Sequence, residues 1–152
     1  MEDASTKISV ITASETYPVR REVLRPGRPE EECFFEGDLD QETLHLGLFL
    51  NGTLAGIASF MFRRNDQFSE KIQYQLRGMA ILQEHQGEGY GAFLLRKGEK
   101  LLQERHPVFT LWFNARESAM GFYHKYGYRS IGEPFMIPRV CMHFLMYRHF
   151  PM

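Results

Sequence analysis

The sequence predicts an α+β fold, in which helices flank a central, mostly antiparallel mixed sheet. Two observations support this prediction. Apolar and β-branched runs broken by turn signals fill residues 44–82, which is typical of a strand meander, and the apolar spacing changes to a helical period over residues 89–105. With 152 residues, of which 43% are hydrophobic, we expect one compact domain spanning residues 1–152.

A β-hairpin is predicted between Leu44 and Phe62, after a short N-terminal element. Asn51-Gly52 divides this segment, and the dipeptide readily adopts the two positive φ angles of a type I′ turn. A third strand is predicted from Ile72 to Leu82, which extends the antiparallel meander.

The second half of the chain alternates helices and strands. Gly89 to Arg105 forms an amphipathic helix in this prediction, because its apolar residues recur at helical spacing until His106-Pro107 ends the pattern. The predicted elements that follow are a strand at Val108–Phe113, a helix at Arg116–Tyr126 stopped by Gly127, and strands at Tyr128–Ile131 and Cys141–Arg148 flanking a loop with Pro134 and Pro138.

Charge and composition exclude several classes of protein. A net charge of -1 argues against a nucleic-acid partner, because neutralising phosphates takes a surplus of Lys and Arg. The sequence contains no run of 18 apolar residues, so no membrane span is expected, and Met1–Val10 does not resemble a signal peptide. Cys33 and Cys141 lack the spacing of a metal site, so we expect no metal and two buried, reduced thiols. A cytoplasmic protein is the resulting expectation.

Four arginines, Arg20, Arg21, Arg25 and Arg28, lie together ahead of three consecutive glutamates. One interpretation is a solvated, charged loop. The other is that one or more of these arginines faces a carboxylate or phosphate of a ligand, because a guanidinium group binds such oxyanions in a bidentate manner. The sequence leaves both interpretations open.

Three glycines, Gly87, Gly89 and Gly91, lie where the third strand meets the long helix. Glycines at a helix start favour an anion held by backbone amides and the helix dipole. A P-loop is excluded, because no Lys-Ser or Lys-Thr follows. The run Gly87–Ala92 fits a dinucleotide motif, but the next strand leads into Asn114 where that motif expects an acidic residue, so nicotinamide binding stays only as an alternative.

Gln86-x-x-Gly89-x-Gly91 resembles the Q/R-x-x-G-x-G/A acyl-CoA signature of the GCN5-related N-acetyltransferase (GNAT) superfamily. The segment Leu111–Arg116, with Ala119, Phe122-Tyr123, Lys125 and Gly127-Tyr128, is similar to the second conserved block of that family. The resemblance covers residues 72–131. It implies a GNAT-like fold and the transfer of an acetyl group from acetyl-CoA to a primary amine by direct attack in a ternary complex. Neither block contains a cysteine that could carry the acyl group.

The resemblance also implies residue roles. Backbone amides at the glycine turn would hold the pyrophosphate of coenzyme A, the preceding strand would pair with pantetheine, and Asn114 would contact a pantetheine amide. Tyr123 would contact the cofactor and protonate the departing thiolate. The expected cofactor-binding residues are Met79, Ala80, Ile81, Gln86, Gly87, Glu88, Gly89, Tyr90, Gly91, Asn114 and Tyr123.

The general base is less clear from the sequence, because Tyr74-Gln75-Leu76-Arg77 offers no carboxylate before Met79. His143 is the preferred candidate, with His45 or a water molecule as alternatives. Loops spanning residues 20–32 and 134–143 are expected to shape the pocket of a small-molecule amine. A homodimer is expected from the resemblance alone. The missing carboxylate motivates a second hypothesis, a non-catalytic acyl-CoA-binding sensor.

Overall fold

The computed structural model describes residues 5–137 and 141–151. Among these residues, seven strands form a sheet in the order β1-β2-β3-β4-β5-β7-β6. The strands are β1 (Thr6–Val10), β2 (Leu44–Leu50), β3 (Thr53–Met61), β4 (Gln73–Ile81), β5 (Phe109–Arg116), β6 (Arg129–Ile137) and β7 (Cys141–Phe150). Only β4 and β5 pair in parallel; the other neighbours are antiparallel. The predicted mixed, mostly antiparallel sheet is therefore confirmed.

Within the described ranges, three α-helices accompany the sheet: α1 (Ala13–Val19), α2 (Tyr90–Arg105) and α3 (Met120–Lys125). Thr12 and Glu15 form a capping box at the start of α1, which continues into a π-helical turn at Arg20–Leu24. In the part of the chain that the structure describes, no helix is long and apolar enough to cross a membrane.

The predicted hairpin and long helix are confirmed. Strands β2 and β3 pair on either side of Asn51 and Gly52, whose φ angles are 50° and 82°. Helix α2 begins at Tyr90, one residue after the predicted start, and ends at Arg105 as predicted.

Two predicted boundaries are wrong. Residues 114–116 belong to β5 because they still pair with β7, so the second helix begins only at Met120 after a short 3₁₀ turn. The predicted loop at Pro134 lies within β6, where a register shift between Ile131 and Phe135 accommodates it. Strand β6 is an edge strand, which tolerates a residue without an amide hydrogen. Pro138 lies outside the described residues.

The main core lies between α2 and one face of the sheet. Leu94, Leu95 and Leu102 of α2 are fully buried there. Gly98 lets the helix approach closely, because a Cβ at this position would overlap the ring of Phe60. A smaller cluster on the other face contains Ile11, Val19, Ile57 and Ala80 and attaches α1 to β3 and β4. Cys33 is buried as expected, but Cys141 is only half-buried.

Candidate active site

Strands β4 and β5 separate part of the way along their length. Their pairing is confined to Gln73–Gln75 opposite Thr110–Trp112, although β4 continues to Ile81 and β5 to Arg116. The two strands therefore leave a wedge-shaped opening in the middle of the sheet. A parallel pair that ends early exposes backbone donors and acceptors that an extended ligand can use.

A β-bulge at Gly78 lies beside this opening. The register of β3 against β4 shifts between Ile57 and Ser59, and Gly78 has a φ of 69°. A Cβ at Gly78 would lie 2.8 Å from Cε2 of Phe35, so both the backbone angle and the close contact require glycine. Bulges bend the strand that carries them, and this one coincides with the part of β4 that is unpaired with β5.

The backbone of β4 after the bulge presents alternate residues to the opening. The amide of Leu82 donates to the carbonyl of Ala55 on the β3 side, 2.9 Å away. Because alternate residues of a strand direct their backbone groups to the same side, Ala80 also faces β3, whereas Met79 and Ile81 face the opening. Of the three strand residues expected to bind pantetheine, two thus offer backbone groups on the open side.

The glycine turn leads from β4 into α2. Gly89 caps the helix with a φ of 88° and no side-chain cap, and the first turn contains no acidic residue. The amide of Phe93 donates to the carbonyl of Gly89 as the first hydrogen bond of the helix. The amides of the three residues before Phe93 therefore remain available at the positive end of the helix dipole.

Two details leave this turn open to a ligand and fix its shape. Gly87 has a φ of 82°, and a Cβ there would meet no atom within 4 Å, so the space above the turn is free. The side-chain amide of Gln86 donates to the carbonyl of Ile81, 2.9 Å away, which joins the turn to the end of β4. The arrangement suits an anion bound by backbone amides.

A cavity of about 430 Å³ occupies the opening between β4 and β5. Four of the predicted catalytic and cofactor-binding residues line it: Met79, Asn114, Tyr123 and His143. The glycine turn is not part of this wall. The structure thus brings the two predicted catalytic side chains into one cavity.

The cavity wall draws on both faces of the sheet. Phe113 and Tyr123 are on the α2 side, where their ring centroids are 4.3 Å apart. Asn114 and Arg116 project from the opposite face, because strand residues alternate, and His143 is directly opposite Arg116 in the β5–β7 ladder. Asn114 therefore lies on the face away from α2, and its contact with pantetheine stays a prediction.

Tyr123 is surrounded by aromatic rings. Besides Phe113, the rings of Phe122 and Tyr128 lie with centroids 5.0 Å and 6.1 Å away. Burial among these rings raises the pKa of Tyr123 to about 12. Its hydroxyl therefore keeps its proton at neutral pH, which is the state that a proton donor needs.

His143 is 6% exposed and points into the cavity wall. Its Nδ1 is 2.9 Å from the carbonyl oxygen of Cys141, and a carbonyl only accepts, so Nδ1 is the donor. In the neutral ring the proton is thus on Nδ1, and Nε2 is left with a lone pair. That atom can accept a proton from a bound amine.

His45 is placed differently, in a buried network outside the cavity wall. Its Nδ1 accepts from the Ser59 hydroxyl at 2.7 Å, and its Nε2 donates to the Asp38 carbonyl at 2.9 Å. Burial lowers the pKa of His45 and keeps the ring neutral. Both ring nitrogens are therefore engaged, and of the two candidate bases only His143 lies in the cavity wall.

Neither interpretation of the arginine stretch applies to Arg20. It is fully buried and binds both carboxylate oxygens of Asp38, at 2.7 Å and 2.9 Å. Arg28 forms an exposed pair with Glu32, and Arg25 lines the cavity. Nothing local in the sequence points to Asp38, because its partner is 18 residues away.

Arg77 is the cavity residue that the sequence interpretation missed. It is half-buried, and its guanidinium carbon lies 4.3 Å from the centroid of the Phe35 ring. Burial, together with the positive charges of Arg63, Arg25 and Arg20, lowers its pKa. Its position in the sequence could have pointed to it, because Arg77 lies two residues before Met79, in the segment where a carboxylate general base is expected.

Comparison with known proteins agrees with this geometry. Residues 11–128 match the model of the Acetyltransferase (GNAT) family. The Bacillus subtilis (strain 168) protein called "Uncharacterized N-acetyltransferase YitI" is 37% identical over 142 residues, which cover 93% of this chain and 95% of that protein.

Solved structures share the fold. Escherichia coli ElaA has a TM-score of 0.77 and 17% identity, with 94% of this chain and 99% of that chain covered. The PaiA N-acetyltransferase from Thermoplasma acidophilum, solved in complex with coenzyme A, has a TM-score of 0.69 and 16% identity, with 96% and 99% covered. The predicted GNAT-like fold is confirmed, and the chain belongs to the acetyltransferase (GNAT) family of acetyl-CoA-dependent N-acetyltransferases.

Proposed function

We propose that this protein moves the acetyl group of acetyl-CoA to a primary amine by direct attack in a ternary complex. The observation that carries the proposal is the opening between β4 and β5, which joins the part of β4 that is unpaired with β5 to a cavity lined by both Tyr123 and His143. Neither Cys33 nor Cys141 is among the lining residues that the structure describes, which favours direct attack over an acyl-cysteine intermediate.

In this proposal the cofactor lies along the end of β4 and the start of α2. The backbone amides of Gly87, Glu88, Gly89, Tyr90 and Gly91 bind the pyrophosphate at the helix N-terminus. The amide of Gln86, which was also expected to do so, instead donates to the carbonyl of Gln83, 3.2 Å away. Pantetheine pairs with the backbone of Met79 and Ile81 as an added strand. The amide of Met79 or Ile81 then serves as the oxyanion donor for the tetrahedral intermediate.

The chemistry uses one proton acceptor and one proton donor. The neutral amine attacks the thioester carbonyl carbon, and Nε2 of His143 takes the proton that the nitrogen loses. As the tetrahedral intermediate collapses, the C–S bond breaks and the hydroxyl of Tyr123 gives its proton to the sulfur. Attack needs a neutral amine, so a base near the nitrogen raises the reactive fraction at neutral pH.

The remaining expectations belong to the proposal as well. The acceptor is a small-molecule amine, and the protein works in the cytoplasm, as a homodimer if it follows the family expectation. No nucleic-acid or membrane partner is invoked. Among the described residues, no cluster of His, Cys, Asp and Glu could hold a metal ion, and the proposed steps use none.

Calorimetry with acetyl-CoA, with NAD as the control ligand, tests the cofactor assignment. We expect binding of acetyl-CoA and none of NAD; no binding at millimolar acetyl-CoA would overturn the proposal. Thiol release from acetyl-CoA over a panel of amines then separates an enzyme from the acyl-CoA sensor, because a sensor binds the thioester without turning it over.

A further inference from the structure

Three arginines line the cavity between β4 and β5: Arg25, Arg77 and Arg116. The described part of the wall contains no Asp or Glu, and no carboxylate of the described residues forms an ion pair with any of the three. Other arginines of this chain, such as Arg20 and Arg28, have such partners. The cavity therefore carries concentrated positive charge that no described carboxylate pairs with directly.

Arg77 and Arg25 are held against the same aromatic ring. Their guanidinium carbons lie 4.3 Å and 5.9 Å from the centroid of Phe35, which is itself buried. The carboxylate of Asp38, which accepts from the backbone amide of Phe35, is engaged by Arg20 in a bidentate pair. Phe35 thus contacts two of the cavity arginines, and the carboxylate of Asp38 is already occupied.

These cations face the acceptor side of the cavity. Leu76 belongs to the core around α2, so its neighbour Arg77 projects from the opposite face of β4. Arg116 and His143 project from that same face of β5 and β7. The glycine turn that is proposed to hold the cofactor phosphates lies at the start of α2, outside this wall. An anion bound by Arg77 would therefore belong to the acceptor.

We propose that the acceptor amine also carries an oxyanion group, a carboxylate or a phosphate, which Arg77 and Arg25 bind while the amine faces His143. Guanidinium groups bind both oxyanions through paired hydrogen bonds. The inference rests on the proposed acetyltransferase activity and names its substrate class. The cavity volume of about 430 Å³ suits a small molecule of this kind.

The test compares amines that differ only in the anion. Amino acids, their carboxamides and aminoalkylphosphonates are supplied to the enzyme with saturating acetyl-CoA, and kcat/KM is measured by thiol release. We expect the best carboxylate or phosphonate to exceed its neutral counterpart by about 10- to 100-fold. The better of these two classes identifies the oxyanion. Neutral amines accepted equally well would overturn the inference while leaving the acetyltransferase activity intact.

Variants of Arg77 add a second readout. Arg77→Gln is expected to remove the preference for the charged substrate, Arg77→Lys to keep part of it, and the control Arg21→Gln, on the exposed surface, to leave it unchanged. Acetyl-CoA affinity should be the same in all of them. If Arg77→Gln weakens acetyl-CoA binding instead, the arginines serve the cofactor and the inference is wrong.

A binding experiment covers the case in which acetyl-CoA binds but no amine of the panel is acetylated. Glutarate and inorganic phosphate are titrated by calorimetry into the CoA-saturated protein and into Arg77→Gln. Binding to the unmodified protein that the variant loses supports an oxyanion site. No binding, or equal binding to both proteins, overturns it. Failure of acetyl-CoA itself to bind would instead contradict the proposed function.

Discussion

The rings of Tyr123 and Phe113 lie 4.3 Å apart between centroids, a contact that joins the short helix α3 to β5 beside the opening in the sheet. Phe113 is buried in the main core, so this contact gives the phenol a rigid support. The residue after Phe113 is Asn114, which projects from the other face. The proposed proton donor on one side of the sheet and polar groups on the other thus lie beside neighbouring residues of β5.

Replacing Tyr123 with Phe removes the proposed proton donor and keeps the ring packing. We expect kcat to fall by about 10²-fold or more, because the thiolate then leaves unprotonated. Acetyl-CoA affinity, measured by calorimetry, should be unchanged. Since burial raises the pKa of Tyr123 to about 12, ionisation of its hydroxyl should cause no loss of rate below about pH 10. Full activity of the Tyr123→Phe variant would contradict the assignment of Tyr123 as the proton donor.

His143→Gln removes the proposed base. We expect kcat/KM to fall by about 10²-fold near neutral pH and the deficit to shrink as the pH rises, because more of the free amine is then already neutral. A purely structural role would give a deficit that does not depend on pH. His149→Gln on the same strand, outside the described cavity wall, is the control and should retain its activity.

Gly87→Ala and Gly52→Ala form a matched pair. Both glycines have a φ of 82°, and a Cβ on either would meet no atom within 4 Å. Both variants should therefore lose a similar free energy of unfolding, about 1 kcal/mol, from backbone strain. Only Gly87→Ala should also weaken acetyl-CoA binding, by about tenfold, because its methyl group enters the proposed phosphate cradle. If calorimetry gives the same acetyl-CoA affinity for Gly87→Ala and Gly52→Ala, the proposed binding of the cofactor at this turn is wrong.

Asp38→Ala should be strongly destabilising. It leaves the fully buried guanidinium of Arg20 without its charge partner, which typically costs about 3–5 kcal/mol. Glu32→Ala, which breaks an exposed pair with Arg28, should change the free energy of unfolding by less than about 0.5 kcal/mol. Urea denaturation measures both. Similar small losses would mean that the buried pair can be replaced by water or rearranged packing.

His45 makes stability depend on pH. Burial lowers the pKa of the folded ring, so below about pH 6.5 the unfolded chain takes up a proton that the folded chain does not. The free energy of unfolding should therefore be unaffected by this group above about pH 6.5 and decrease as the pH falls below it. His45→Gln should lack this component. Urea titrations of both proteins at several pH values test it, and parallel pH dependences would contradict it.

The elements that the sequence predicted correctly have local causes. The Asn51-Gly52 turn and the periodic apolar residues of α2 specify their own backbone, and the glycine turn indicates an anion site without knowledge of the rest of the chain. Membership of the family likewise follows from motifs that are contiguous in sequence. Tyr123 and His143 could be nominated singly, and the structure brings them to one cavity.

The features that could not be predicted from the sequence depend on contacts between residues that are distant along the chain. Asp38 is recognisable as a structural partner only when Arg20 is seen beside it, and Gly78 only when Phe35 packs against its Cα. The start of α3 was misplaced because pairing with β7, 27 residues beyond Arg116 at His143, holds residues 114–116 extended. The proposed role of Arg77 could be inferred only from the structure, because the Phe35 ring that its guanidinium group contacts comes from a distant part of the sequence.

The opening between β4 and β5 has a kinetic consequence. Because residues from both faces of the sheet line it, the proposed direct attack can have acetyl-CoA on one face and the amine on the other at the same time. In the proposed mechanism the free thiol product then competes with the thioester, and the acetylated product competes with the amine. Product inhibition of this pattern would therefore support separate sites for the two ligands.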